Sequence, residues 1–157
     1  MVNTSTLLDA LVTKLRLIPG LVTEMNLASN INAFHDEDAV SSDVRSAVAK
    51  LTSPGMLVFW DSTQPAGMGS RIVWAHTYRV VFHQKPGAPK GAAKVWEYLV
   101  NGVPTGSSLR MLLTEIDPAC YAMDAPSISR TFMQIDPTTN SGTEYFEARL
   151  TFRERNL

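Results

Sequence analysis

The first apolar positions of the chain fall at helical spacing. Leu7, Leu8, Leu11, Leu15 and Ile18 form one stripe, the recurrence expected of an amphipathic helix. Thr4 or Ser5 offers a hydroxyl to cap it. Asp9 sits towards its start and Lys14 and Arg16 towards its end, as the helix dipole favours. Pro19-Gly20 reads as the stop. Residues 21–35 carry the turn-formers Asn26, Ser29, Asn30 and Asn32, with Leu27, Ile31 and Phe34 anchoring a loop or a short strand. Val44, Ala47, Val48 and Leu51 then repeat the helical spacing behind a cap at Ser41 or Ser42, ending near Pro54-Gly55.

Past that point the period shortens. Met56 to Asp61 reads as a buried strand, and Ser62 to Ser70, with Pro65, Gly67 and Gly69, as a flexible loop. Arg71 to Gln84 alternates: Ile72, Trp74, His76, Tyr78, Val80 and Phe82 take one face, and Val73, Ala75, Thr77, Arg79, Val81 and His83 the other. Both faces of that strand are therefore expected to be partly covered. A loop over 85–91 leads to a short helix over Ala92 to Val100, with Asn101-Gly102 as its stop. Leu109 to Ile116 fits helix or strand, and Asp117 to Pro126 reads as irregular. Ser127 to Asp136 and Thr143 to Glu154 form two strands around a turn-rich connection, which predicts an antiparallel hairpin. In the last strand Phe146, Ala148, Leu150 and Phe152 alternate with Tyr145, Glu147, Arg149, Thr151 and Arg153, a one-sided pattern. This order gives an α+β fold: a mostly antiparallel mixed sheet of four or more strands with helices packed on one face. At 157 residues, positions 1–157 fit a single domain.

Composition narrows the function more than the fold. Fourteen Lys+Arg against fifteen Asp+Glu leave a formal charge of -1, which speaks against nucleic-acid affinity driven by the whole protein's field. The charged share, 18%, is below the roughly 25% of ordinary soluble domains, as expected where partners cover part of the surface. The charges are also segregated. No acid occurs between Asp61 and Glu97, a stretch that holds Arg71, Arg79, Lys85, Lys90 and Lys94, while Asp36, Glu37, Asp38 and Asp43 cluster elsewhere. Separate basic and acidic surfaces suit head-to-tail contact between identical subunits. The single cysteine, Cys120, precludes an intramolecular disulfide and a multi-cysteine zinc site and reads as a small core hydrophobe. Without a basic, apolar leader or a run approaching 20 apolar residues, the expected setting is aqueous and reducing, with no membrane partner.

Catalytic signatures do not emerge. Gly67-Met68-Gly69-Ser70 lacks the spacing of a phosphate loop, a dinucleotide fingerprint or a nucleophile elbow. His76 and His83, seven apart on one strand, fall on opposite faces and do not share a metal. Asp36-Glu37-Asp38 lacks the glycine and ligand spacing of a calcium loop. The expectation is a non-enzymatic protein with no cofactor and no metal. Its candidate contact residues are Trp60, Trp74 and Arg79, together with Gly67, Met68, Gly69 and Arg71 of the glycine-bearing loop; exposed aromatics and arginines are common interface anchors.

In its order of elements the chain resembles the tail terminator proteins of long-tailed bacteriophages, also called tail completion or minor tail proteins. The resemblance lies in a first helix ending in Leu17-Ile18-Pro19-Gly20-Leu21-Val22 and a second running into Pro54-Gly55-Met56-Leu57-Val58-Phe59-Trp60. It continues in the glycine-bearing loop before Trp74-Ala75-His76-Thr77-Tyr78-Arg79-Val80-Val81-Phe82, and in Arg130 to Asp136, a turn, and Tyr145 to Phe152. It implies a virion protein at the head–tail junction, made in the host bacterial cytoplasm and assembled as a hexameric ring. Such a ring caps the completed tail tube protein and offers the docking surface for the head connector, with genomic DNA passing unread through its lumen. The alternatives are a neck adaptor between portal and tail, or a monomeric small-molecule-binding domain.

Overall fold

A computed structural model describes residues 3–35, 47–48, 51–52, 54–66, 74–83, 91–101, 120–123, 127–136 and 141–154. The leucine stripe forms α1 (Thr4–Leu15), with Leu7, Leu8, Leu11, Val12 and Leu15 buried. Its cap is neither Thr4 nor Ser5 but Asn3, whose Oδ1 accepts the Thr6 backbone N–H at 3.0 Å. A short amide reaches the first-turn donors from that position as well as a hydroxyl does. Pro19-Gly20 does not end the helical region. The chain turns through residues 16–18, and Pro19 then occupies the first position of α2 (Pro19–Glu24). Proline suits that position because its φ is already helical and its missing N–H would have had no helical partner. Gly20 lets α2 approach α3 (Gly91–Asn101), because a Cβ there would sit inside the Tyr98 ring.

A short 3-10 turn (Ala28–Asn30) delivers the chain to β1 (Ile31–Phe34), which resolves the ambiguity of 21–35 in favour of a strand. Then follow β2 (Gly55–Pro65), β3 (Trp74–His83), β4 (Cys120–Met123), β5 (Ser127–Asp136) and β6 (Ser141–Glu154). Two strands exceed the sequence expectation. β2 runs on through Ser62–Pro65, which were expected as loop, because the backbone there pairs with Trp74–Thr77. β4 lies in the stretch expected to be irregular, because β6 is long enough to offer its Phe152–Glu154 end as a template.

Among the described residues six strands form one mixed sheet in the order β1-β2-β3-β6-β4, with β5 also paired to β6. Only β1 runs parallel to its neighbour; β2, β3, β4, β5 and β6 pair antiparallel, and β5–β6 is the expected hairpin. The short edge strand β1 is guarded by Arg16, whose Nε donates to the Ile31 carbonyl at 2.8 Å and whose terminal nitrogen donates to Asn32 Oδ1 at 3.1 Å.

The main core lies on one face of the sheet. Leu8, Leu11 and Leu15 of α1, Leu21 of α2 and Val95 and Leu99 of α3 pack there with Met56, Val58, Tyr78, Val80, Phe82, Leu150 and Phe152. Tyr78 is fully buried, and its hydroxyl donates to the Thr4 carbonyl at 2.8 Å, tying the start of α1 to the central strand. The opposite face holds a smaller core of Val48, Leu57, Phe59, Val81 and Tyr145. Ala47 and Val48 are helical and belong to that second core. Helical residues therefore cover part of both faces rather than one alone. The cap and first turn expected at Ser41 to Asp43, and the segment 109–116, lie outside the described residues.

Candidate functional site

The second face changes character along its length. Near Leu57, Val81 and Tyr145 it is apolar and covered; further along β3 and β6 it becomes charged. Strand alternation puts Arg79 on this face between Thr77 and Val81, and cross-strand register sets it opposite Arg149 of β6 and Phe59 of β2. Arg79 finds its acid one step along β6. Its Nε and one terminal nitrogen each donate to Glu147, both at 2.6 Å, in a two-pronged pairing. Its guanidinium also stands 5.4 Å from the centre of the Phe59 ring, within cation–π range, and 3.7 Å from Asp61.

The Glu147 side chain is only 5% exposed and accepts a third bond, from Arg149 Nε at 3.1 Å. Burial opposes its ionisation, but hydrogen bonds from Arg79 and Arg149 outweigh that penalty and hold the carboxyl below its ordinary range. The hydrogen bonds Arg79 donates to Glu147 likewise push its guanidinium up, against the cost of burial. The sequence pattern placed Glu147 on an open, polar side of the last strand. In fact both Glu147 and Tyr145 are buried, because the second core and the two arginines cover them. Beyond the pair, Thr77 and Thr151 bond each other across β3 and β6 at 3.0 Å.

Trp60 and Trp74 stand apart from Arg79. A register shift between Trp60 and Ser62 inserts Asp61 as an extra residue in β2, and such a bulge reverses the alternation beyond it. Trp60 and Thr63 consequently meet on the main-core side. The Trp60 indole N–H donates to Thr63 Oγ1 at 3.0 Å, and Thr63 Oγ1 lies 2.9 Å from His76 Nδ1. His76 Nε2 lies 2.8 Å from Glu154 Oε1. Thr63 Oγ1 thus accepts from Trp60 and links it to the imidazole, whose far nitrogen meets the Glu154 carboxylate. His76 is wholly enclosed, so the chain acts as a clamp joining β2, β3 and β6. Trp74 opens β3 half-buried, opposite Pro65. His83 falls on the other face, edge-on to Tyr145, as the seven-residue spacing requires.

A second hydroxyl–imidazole–carboxylate chain ties α1 to the end of β1. Ser5 Oγ lies 3.0 Å from His35 Nδ1, and His35 Nε2 lies 2.7 Å from Asp9 Oδ1. Ser5 and Asp9 are one helical turn apart on α1 and so address one imidazole.

The structure thus divides the candidate contact residues between two faces, with Trp60 on the main-core side and Arg79 on the other. Gly67, Met68, Gly69 and Arg71 lie outside the described residues. The partners that sequence reasoning missed are Glu147 and Arg149 around Arg79, and Thr63 and Glu154 around His76. Glu147 had a signal: it is an acid in a strand of otherwise basic and hydroxyl residues on its face, opposite a strand bearing an arginine. Thr63 had none, because its face depends on the bulge at Asp61.

Among the described residues, no cluster of three or more histidine, cysteine or acidic side chains is placed to hold a metal ion. Among the same residues, no helix is long and apolar enough to cross a membrane. Comparison with known protein families and with curated protein sequences found no match.

Proposed function

We infer that this protein is a structural subunit of the head–tail junction of a long-tailed phage, which caps the completed tail tube as a hexameric ring and presents a docking surface to the head connector. The observation that supports this reading is the two-sided sheet. One face is packed with α1, α2 and α3. The other carries aliphatic cover at one end and an ordered lattice of Arg79, Glu147, Arg149, Thr77 and Thr151 at the other. A subunit that packs against copies of itself needs such a second surface, rigid and polar enough to stay soluble before assembly. The resemblance in element order to tail terminators supplies the setting: tail tube protein below, head connector above, DNA passing through the lumen without sequence reading.

The role in this reading is mechanical, with no cofactor and no catalysis. In the Thr63–His76–Glu154 chain, the hydroxyl that would have to attack is engaged on both sides and its imidazole is enclosed. The reading is tested by labelling the protein on virions and imaging them by electron microscopy. Label at the head–tail junction is expected; label elsewhere ends the reading. Deleting the gene should give overlong or unstable tails. Finished tails unjoined to heads would instead identify a neck adaptor. Removing residues 66–69 should leave a folded protein that no longer caps tubes, and unchanged capping would remove that loop from the mechanism.

A further inference from the structure

A hydroxyl, an imidazole and a carboxylate stand in line beside the first turns of α1: Ser5 Oγ, then His35 Nδ1 at 3.0 Å, then Asp9 Oδ1 at 2.7 Å from His35 Nε2. The Thr63–His76–Glu154 chain has the same three kinds of group, but its imidazole is enclosed and its hydroxyl also accepts from Trp60. The chain at α1 differs on both counts. Among the described residues the Ser5 hydroxyl has no partner besides His35. Ser5 is only half-buried, and the His35 and Asp9 side chains are 22% and 64% exposed. Regular backbone fixes the three groups. Ser5 and Asp9 sit one turn apart on a helix of 12 residues, and His35 follows directly on β1, whose Phe34 is in register with Phe59. Groups held by a helix and a strand keep their mutual geometry, as a reacting site needs. The helix adds charge. Asn3 takes the Thr6 N–H with its side chain and the Leu7 N–H with its carbonyl. The Ser5 N–H is one of the first-turn donors with no partner inside the helix. An oxygen turning negative on a group attached to Ser5 Oγ is thus stabilised by the positive end of the helix dipole.

We propose that Ser5 is the nucleophile of an acyl-transfer site for small carboxylic esters, with His35 as its base and Asp9 as the residue that positions the imidazole. The step uses the His35 tautomer with its proton on Nε2, facing the carboxylate, which leaves Nδ1 to accept from the hydroxyl. Ser5 Oγ attacks the ester carbonyl carbon, and its proton passes to Nδ1. The bond from that carbon to the leaving alcohol oxygen breaks, and the alcohol takes the proton from Nδ1. Water then attacks the acyl-Ser5 ester and gives Nδ1 a proton, which returns to Ser5 Oγ as the carboxylic acid leaves. Asp9, 2.7 Å from Nε2, stabilises the imidazolium formed in each half. The two ring nitrogens exchange the places they hold in the familiar triad, where the hydroxyl faces Nε2; the roles are unchanged, since either nitrogen is basic when the other carries the proton. Because Asp9 is largely exposed, its charge is screened and the activation is modest, which suits esters of good leaving groups. The inference stands apart from the assembly reading and does not rest on it.

The test is labelling of the full chain with diisopropyl fluorophosphate, located by peptide mass spectrometry, in the wild type, Ser5→Ala, His35→Gln and Asp9→Asn, each with its urea midpoint measured. The phosphoryl adduct is expected on Ser5, with release of fluoride, at least about tenfold faster than on the exposed Ser127 and Ser129. His35→Gln should slow it about 100-fold, and Asp9→Asn about two- to fivefold, the scale of an exposed ion pair. The wild-type rate should rise with pH across the range in which an imidazole gives up its proton, and the His35→Gln rate should not. A tie between α1 and β1 with no chemical role would produce neither the adduct nor that profile. With p-nitrophenyl acetate, an acetyl group should appear on Ser5 and turn over, and Ser5→Ala should lose that turnover. If Ser5 is labelled no faster than Ser127 and Ser129, the proposal falls. It falls as well if His35→Gln keeps the wild-type midpoint and is labelled at the wild-type rate. Should His35→Gln unfold, the wild-type pH profile decides alone, and a profile without the imidazole rise overturns the proposal. If Ser5→Ala hydrolyses the ester as fast as the wild type, the turnover belongs to another group and the proposal is likewise overturned.

Discussion

Replacing Glu147 by alanine tests how the second face is held. The substitution removes a carboxylate that is 5% exposed and accepts two bonds at 2.6 Å from Arg79 and one at 3.1 Å from Arg149. Breaking a buried ion pair from one side costs about 3–5 kcal/mol, mostly the penalty of stranding the remaining charge. Arg79 is 28% exposed and keeps Asp61 at 3.7 Å, so the lower end, about 3 kcal/mol, is expected. In a domain of this size that lowers the melting temperature by roughly 6–12 °C. Urea unfolding followed by tryptophan fluorescence should show the midpoint shift with little change in slope. Removing both charges, as Arg79→Met with Glu147→Leu, should recover most of the loss, because neither charge is then left stranded. The pH dependence has a definite sign. The Glu147 carboxyl is held below its ordinary range, so its contribution is complete above an unfolded value of about 4.3 and is lost as pH falls through the lower folded value. Glu147→Gln should flatten the stability profile in that acid window. A cost below about 0.5 kcal/mol for Glu147→Ala, typical of a surface site, would refute the reasoning.

Other perturbations test separate parts of the structure. Gly20→Ala brings a methyl group into the space of the Tyr98 ring. It should cost about 1–3 kcal/mol despite alanine's better helix propensity, and pairing it with Tyr98→Ala should relieve part of that cost in a double-mutant cycle. Tyr78→Phe deletes the hydroxyl that donates to the Thr4 carbonyl at 2.8 Å; about 1 kcal/mol is expected from denaturant titration. Asn3→Ala removes the cap on the Thr6 N–H and should cost about 0.5–2 kcal/mol, with faster amide exchange confined to the first turn of α1. Leu11→Ala empties a fully buried position in the main core and should cost about 2–5 kcal/mol in calorimetry.

The long periodic elements are legible because their spacing repeats without interruption. Leu7, Leu8, Leu11 and Leu15 all face the core, and Trp74 to His83 alternate between the two faces, so spacing alone locates α1 and β3. The misses occurred where a distant partner decides local structure. Ser62 to Pro65 look like loop, with their Thr, Gln and Pro, yet they are strand because β3 lies beside them. Cys120 to Met123 became a strand because β6 reaches them. Pro19 resembles a stop in the sequence, whereas at the first position of a helix it is a start. The candidate site was half visible. Arg79 and His76 stood out as polar residues in an apolar strand, but their partners lie some 70 positions away, at Glu147 and Glu154, beyond what periodicity can join.

The pairing of β3 with β6 has a consequence for how the chain folds. β2–β3 and β5–β6 join segments close in sequence, while β3–β6 joins Phe82 to Phe146 at one end and Ala75 to Arg153 at the other. Closing so large a loop costs entropy before any contact rewards it, and such pairings slow folding. The two hairpins are therefore expected to form before the central seam. The Arg79–Glu147 bond, the Thr77–Thr151 bond and the His76–Glu154 bond all cross that seam. Until it closes, the second face has neither its charge lattice nor Arg149 in position, so the polar end of that face is the last part of the sheet to be completed.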